Sequence, residues 1–170
     1  MTDRTGLLAL GERVPALALD AADGEHYVLA EALARGPVLL VFFSLDCQAC
    51  DAAYLHWDAA FEAYAGEEFA LWAVGLDPRD QAQAFWEKSG VSFPVLFDDG
   101  SSVLALRLTS TPSHVLVGTD GLVLASFDAW DRQAWNAMLA EVAGRLGRPA
   151  IEVAPGEAPE FRPGCTVHAA

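Results

Sequence analysis

The sequence predicts an α/β fold in which a mixed central β-sheet carries helices on both faces and an N-terminal β-hairpin precedes it. Two apolar segments suited to buried strands, Val38–Phe43 and Phe69–Leu76, are each followed by a segment with apolar residues at helical spacing. Strands separated by helices pair in parallel through right-handed crossovers. Residues 113–117 and 122–127 are joined by a short turn and should form an antiparallel hairpin, so the sheet is expected to be mixed.

The elements before the first buried strand are short. Residues 14–19 alternate weakly between apolar and polar side chains, and the turn signal Asp23-Gly24 stands before Tyr27–Leu29, which together predict the N-terminal hairpin. One helical turn is expected at Glu31–Arg35. The run Val38–Phe43 is continuously apolar and rich in β-branched and aromatic residues, which is typical of a strand buried on both faces.

The later helices are predicted from apolar residues three or four positions apart. Gly66 follows the first of these segments and is expected to end that helix. The predicted helices are Asp51–Tyr64, Arg79–Ser89, Ser101–Leu106 and a last one carrying Trp135, Met138, Leu139, Val142 and Leu146 inward, with a short strand at Pro94–Phe97.

The 170 residues are expected to form one domain over residues 11–147, between a loose N-terminus (1–10) and a C-terminal tail (148–170). The tail carries four prolines among small and polar residues, which predicts an extended segment rather than a second domain.

Composition excludes several classes of function. The formal net charge of −14 argues against nucleic acid and anionic membrane surfaces as partners. A transmembrane helix is not expected, because every apolar run is shorter than about 18 residues. The N-terminus lacks the charge pattern and long apolar stretch of a signal peptide, so we expect a cytoplasmic protein, or a periplasmic or exported one if a leader was removed. We also expect a monomer.

The motif Cys47-Gln48-Ala49-Cys50 lies between a predicted buried strand and a predicted helix. Cys47 would stand at the helix N-cap, where free backbone N–H groups and the helix dipole favour a thiolate. We therefore expect Cys47 to be the exposed nucleophile and Cys50 the more buried resolving thiol. Asp46 and Asp51 flank the motif with negative charge and should hold the pKa of Cys47 in the upper part of the roughly 3.5–7.5 range of such thiols.

Three segments resemble the TlpA-type thiol–disulfide oxidoreductases, which belong to the AhpC/TSA, or redoxin, division of the thioredoxin superfamily. Phe42–Cys50 is similar to that family's Phe-Trp-Ala-x-Trp-Cys-x-x-Cys segment, and Ser110–Val123 to its Thr-Pro-x-x-x-Leu-Ile-Asp-x-x-Gly-x-Ile segment. The region Gly11–Leu19 resembles its N-terminal Gly-x-x-Ala-Pro-x-Phe-x-Leu.

The resemblance implies a thioredoxin-like fold with Cys47 as nucleophile, Cys50 as resolver and Thr111-Pro112 as the cis-proline pair at the substrate site. It implies no cofactor, protein or small-molecule disulfides as partners, and an electron donor that the sequence leaves open. Asp46 stands where the family usually has Trp, and Val41 where thioredoxin has a buried acid. Because of these departures, the resemblance does not determine the substrate or the redox direction.

Three other functions are considered. In a peroxiredoxin-like peroxidase Cys47 would be peroxidatic, with Ser44 in place of the usual Thr, although Leu40 occupies the position of that family's Pro. A redox-inactive binding module would hold extended peptides beside Pro112 without turnover. A structural zinc site would need a second ligand pair, for which Cys165-x-x-His168 is the candidate, and we expect no metal.

Cys165 lies alone in the Pro-rich tail. We expect an unpaired thiol on a mobile segment, outside the main catalytic cycle, and the alternative is a third redox thiol that docks near Cys47. His56 is expected on the polar face of its helix. His114 follows Pro112 by two positions, and a place near the substrate cleft is the alternative to a structural role.

Overall fold

The computed structural model describes residues 6–167 and contains a five-stranded central sheet with helices on both faces. In chain order the elements are β1 (Ala18–Asp20), β2 (His26–Val28), α1 (Leu29–Leu33), β3 (Val38–Phe43), α2 (Gln48–Tyr64), β4 (Ala70–Gly75), α3 (Arg79–Ser89), β5 (Val95–Phe97), α4 (Ser101–Leu106), β6 (Ser110–Thr111), β7 (Ser113–Val117), β8 (Val123–Asp128), β9 (Trp130–Asp131), α5 (Arg132–Leu146), β10 (Phe161–Arg162) and β11 (Cys165–Thr166).

The strand order of the central sheet is β5-β4-β3-β7-β8. β3, β4 and β5 are parallel, while β7 runs antiparallel to both β3 and β8. The predicted mixed sheet and the N-terminal hairpin, here β1 and β2, are thus confirmed. β3 occupies the centre because all six of its side chains are apolar and buried.

Alternate residues of β3 enter two separate cores, because successive side chains of a strand point to opposite faces of the sheet. Leu39, Val41 and Phe43 pack with buried side chains of α2 and α5. The other three residues of β3 pack with the N-terminal hairpin, α1 and α4. This arrangement places the start of α2 directly after the C-terminal end of the central strand β3, at one end of the strands of the sheet.

The bounds of β3, α3 and α4 are those predicted from the sequence. α2 begins before the predicted Asp51, because Cys47 caps it. The strands β6, β9, β10 and β11 were not predicted, and each has only two residues.

Both ends of the described chain pack against the domain. Residues 1–5 of the predicted loose N-terminus lie outside the described residues, but Leu8 is buried and its backbone N–H donates to the carbonyl of Leu106 at 3.2 Å. Between residues 6 and 167, no helix has the length and apolar character needed to cross a membrane.

Candidate active site

Cys47 lies in the short connection between the central strand β3 and α2, directly before the first residue of the helix. Its backbone is extended, with φ −152° and ψ 109°, and its Sγ accepts a hydrogen bond from the N–H of Cys50 at 3.2 Å. The sulfur therefore caps the helix, as the sequence predicts. An N-cap sulfur receives one of the free N–H groups of the first turn and lies at the positive end of the helix dipole, so its anionic form is stabilised.

The segment from β6 to β7 places Thr111 and Pro112 at the same end of the sheet as Cys47. The Thr111–Pro112 peptide bond is cis. The Cys47 sulfur lies 3.4 Å from the Thr111 carbonyl oxygen and 3.8 Å from the Thr111 hydroxyl. That hydroxyl also donates to Ser44 Oγ at 3.0 Å. Cys47 and Ser44 are therefore neighbours of the Thr-Pro pair, although more than sixty positions of the chain lie between them and that pair.

The two thiols of the motif have opposite electrostatic environments. Hydrogen bonds from the Cys50 thiol, the Cys165 thiol and the Cys50 N–H outweigh the effect of burial and lower the pKa of Cys47 to about 5. Burial, together with the adjoining Cys47 sulfur, strongly raises the pKa of Cys50. At neutral pH the pair thus holds one thiolate, at Cys47, and one thiol, at Cys50.

The pKa of Cys47 is lower than the flanking carboxylates led us to expect. Asp46 and Asp51 are both exposed to solvent, where water screens their charge. The hydrogen bonds to the Cys47 sulfur act at contact distance in a buried place and therefore dominate.

The expectation that Cys47 is exposed is wrong. Only 3% of Cys47 is accessible, against 0% for Cys50. The reason lies in the C-terminal segment, which we define as residues 148–167. Its strand β11 pairs with β6 beside the motif, and Cys165 packs against the core that contains Cys47.

The C-terminal segment is held along its length by hydrogen bonds to the domain. Tyr64 Oη donates to the carbonyl of Pro149 at 2.9 Å, and Trp130 Nε1 donates to that of Pro159 at 2.9 Å. Between them, the side chain of Asn136 makes two hydrogen bonds with the backbone of Val153, at 2.8 and 3.1 Å. These contacts contradict the expectation of a mobile tail.

A cavity of about 530 Å³ opens beside Cys165, on the side of the loops that follow β3 and β4. Ser44, Asp46 and Asp77 give it a polar and acidic wall. Asp77 also accepts a hydrogen bond from the N–H of Leu45 at 2.8 Å, which ties the two loops together. The cavity therefore opens the Cys165 side of the motif to a small molecule.

Neither histidine considered in the sequence lies in the cleft. His114 is fully buried beneath α2, where it contacts Trp57 and Phe127. His56 is also buried, stacked on Trp130 at 5.1 Å between ring centroids, so its predicted place on a polar face is wrong. The aromatic cluster of this core holds both imidazoles.

The zinc alternative concerns Cys165 and His168. His168 lies outside the described residues. Within residues 6–167 there is no cluster of three or more histidine, cysteine or acidic residues able to hold a metal ion.

A family model described as the AhpC/TSA family matches residues 10–126, which is more than half of the chain. This chain belongs to the AhpC/TSA family. The match includes the Cys47–Cys50 motif and the Thr111–Pro112 pair, and it ends before the C-terminal segment.

Similar proteins point to the same division of the superfamily. A protein named thiol-disulfide oxidoreductase ResA from Halalkalibacterium halodurans is 27% identical over 120 residues, which is 69% of this chain and 68% of that protein. The ResA of Geobacillus thermodenitrificans is 25% identical over 124 residues, or 72% of this chain and 70% of that one.

A hypothetical protein of Sinorhizobium meliloti 1021 has the same fold, with a TM-score of 0.72 at 21% identity, over 96% of this chain and 97% of that one.

Proposed function

We propose that this protein is a thiol–disulfide oxidoreductase whose Cys47–Cys50 pair cycles between dithiol and disulfide. The observation that carries the proposal is the Cys47 sulfur, which caps α2 and contacts Thr111 beside the cis-proline. The names of the curated relatives support the same activity.

The first step is nucleophilic attack. The Cys47 thiolate attacks one sulfur of a substrate disulfide, the substrate S–S bond breaks, and one substrate thiolate leaves and takes up a proton. Because the pKa of Cys47 is about 5, the nucleophile is ionised at neutral pH without a separate base.

The second step resolves the mixed disulfide. Cys50 loses its proton and attacks Cys47 Sγ, which releases the second substrate thiol and leaves a Cys47–Cys50 disulfide. Cys50 becomes easier to ionise at this stage, because the negative charge of Cys47, one cause of its raised pKa, disappears when the mixed disulfide forms. An external electron donor then restores the dithiol.

The substrates are proteins or small molecules that carry disulfides, and the enzyme acts as a monomer. Thr111 and Pro112 contribute the substrate-binding edge. For a protein substrate, β11 must first leave this edge, so that an extended peptide can pair with the backbone there. Ser44 orients the Thr111 hydroxyl, and Asp46 gives the entrance a negative charge.

Insulin reduction with dithiothreitol tests the proposal. Wild-type protein should accelerate insulin precipitation, and Cys47→Ser should abolish the acceleration. Equal rates for the two would contradict the proposal and favour a redox-inactive binding module. Rapid consumption of hydrogen peroxide by a protein inactive on insulin would instead favour a peroxidase.

A further inference from the structure

The short strand β6 offers a hydrogen-bonding edge immediately before Pro112, and β11 occupies it. Cys165 pairs with Thr111 and Thr166 with Ser110 in antiparallel register. The pairing continues where the N–H of Val167 donates to the carbonyl of Thr109 at 3.0 Å. An extended segment added to a strand edge in this way is a common mode of peptide recognition. Here the added segment belongs to the same chain.

Gly164 allows this strand to approach closely. A Cβ at this position would lie 2.9 Å from the carbonyl oxygen of Thr111 and 3.0 Å from Ser110 Oγ. Both groups belong to the edge strand itself, so any larger residue would push β11 away. The backbone of the C-terminal segment is therefore fitted to this edge at the residue that precedes Cys165.

The position of β11 sets the Cys165 sulfur against the active-site motif. The backbone of Cys165 pairs with Thr111, whose carbonyl oxygen lies 3.4 Å from the Cys47 sulfur, and Cys165 packs against the core that contains Cys47 and Cys50. The thiols interact, because Cys165 helps to lower the pKa of Cys47. Cys165 is half-buried and lines the 530 Å³ cavity.

We propose that Cys165 is a third redox thiol, which resolves mixed disulfides formed on Cys47 with small disulfides that enter through the cavity. This rests on the proposed oxidoreductase activity and assigns to Cys165 a catalytic role that the sequence did not predict. β11 stays docked during the reaction, because a small substrate does not need the edge of β6.

The atoms and electrons balance without a further reactant. The Cys47 thiolate attacks a small disulfide RSSR, which gives Cys47–S–SR and one RS⁻, and RS⁻ takes up a proton from water to become RSH. Cys165 then gives up its proton and attacks Cys47 Sγ, the bond between Cys47 and the substrate sulfur breaks, and RS⁻ leaves and takes up that proton. The products are a Cys47–Cys165 disulfide and a second RSH, so the small disulfide is reduced and the two cysteines are oxidised.

Proton coupling gives this step a direction. In the reduced protein, the hydrogen bond to Cys47 and burial raise the pKa of Cys165, so Cys165 is a thiol while Cys47 is a thiolate. Formation of the mixed disulfide removes the charge of Cys47 and weakens the cause of the raised pKa. The N–H of Gln48 remains as a donor to the Cys165 sulfur and favours its thiolate.

The test compares Cys50→Ser with the matched double variant Cys50→Ser/Cys165→Ser. Each is treated with oxidised glutathione, quenched with N-ethylmaleimide and analysed by peptide mass spectrometry. The single variant should form an intramolecular Cys47–Cys165 disulfide and release glutathione. The double variant should keep glutathione on Cys47.

A persistent glutathione adduct on Cys47 of Cys50→Ser, with Cys165 fully alkylated, would overturn the role of Cys165 and leave the oxidoreductase activity standing. Failure of both variants to take up glutathione at Cys47 would overturn the oxidoreductase proposal and this inference with it.

A third variant, Cys50→Ser/Gly164→Val, tests whether the docked strand positions the thiol. It retains Cys47 and Cys165 but pushes β11 off the edge. The yield of the Cys47–Cys165 disulfide should fall at least tenfold, while the glutathione adduct on Cys47 accumulates. An undiminished yield would show that β11 does not position Cys165, and would contradict the inference.

Discussion

Trp57 Nε1–H donates a hydrogen bond of 3.1 Å to Nε2 of His114, across the core between α2 and β7. Because an indole N–H can only donate, Nε2 of the imidazole must be unprotonated. The proton of the neutral ring is then on Nδ1, which lies 3.3 Å from the carbonyl oxygen of Phe127. Burial lowers the pKa of His114 to about 3, in keeping with a ring that cannot accept a second proton here.

His114 should make the protein less stable in mild acid. The pKa is about 3 in the folded protein and about 6.5 in the unfolded chain, so the unfolded state binds the extra proton first. The contribution of this group to stability is complete above pH 6.5 and is lost as the pH falls towards 3.

The variant His114→Gln, which keeps an acceptor for Trp57, isolates this effect. Between pH 7 and pH 5 the wild type should lose about 2 kcal/mol more unfolding free energy than the variant, at about 1.4 kcal/mol per pH unit below 6.5. Urea unfolding at the two pH values measures the difference. Identical pH dependence in both proteins would contradict the neutral assignment.

The rate of Cys47 alkylation should follow a thiolate that forms near pH 5. In Cys165→Ala the inflection of the pH–rate profile should move upwards, because the variant removes the Cys165 donor to the Cys47 thiolate while Cys50 stays as a donor. Iodoacetamide labelling of the Cys47 peptide, followed by mass spectrometry, gives both profiles. An inflection near pH 8.5 in the wild type, the ordinary value of a free cysteine, would disprove the stabilised thiolate.

Asn136 should anchor the C-terminal segment. Asn136→Ala removes both hydrogen bonds to the backbone of Val153, which is buried, and should cost about 1–3 kcal/mol because the backbone groups lose their partners. Endoproteinase Glu-C should then cut faster after Glu152, which directly precedes the released Val153.

The matched control is Gln133→Ala on the same helix, since Gln133 makes one exposed hydrogen bond with the side chain of Glu160. It should change the unfolding free energy by no more than about 0.5 kcal/mol. Equal rates of Glu-C cleavage at Glu152 in the two variants would argue against Asn136 as the anchor.

Gly36 should tolerate no side chain. A Cβ at this position would lie 1.8 Å from the carbonyl oxygen of Glu68, so Gly36→Ala must displace backbone at the junction of β3 and β4. We expect a loss of about 1–3 kcal/mol in unfolding free energy. The control Gly66→Ala meets nothing within 4 Å and should be close to neutral. Similar midpoints of thermal unfolding for the two variants would contradict this prediction.

Local sequence determines the parts of the fold that were predicted. The run Val38–Phe43 is recognisable as a strand buried on both faces, and the position of Cys47 as a helix cap follows from the strand before it and the helical spacing after it. Backbone capping and side-chain periodicity act over a few residues, so they are visible without knowledge of the rest of the chain.

The neighbourhood of Cys165 could not be predicted in the same way. β11 has two residues and pairs with β6, which also has two, and neither is long enough to show an alternating pattern. Their pairing depends on the path of the C-terminal segment across α5, which is set by contacts such as those of Asn136 and Trp130. The burial of Cys47 follows from that path, so it was missed as well.

During synthesis of the protein, the active-site cysteines are made well before β11, the strand that covers them. Cys47 and Cys50 leave the ribosome more than a hundred residues before Cys165 does. During that interval the dithiol meets the solution without β11, and any disulfide in its surroundings can react with it. The C-terminal segment can therefore dock only after every other residue of the site has been made.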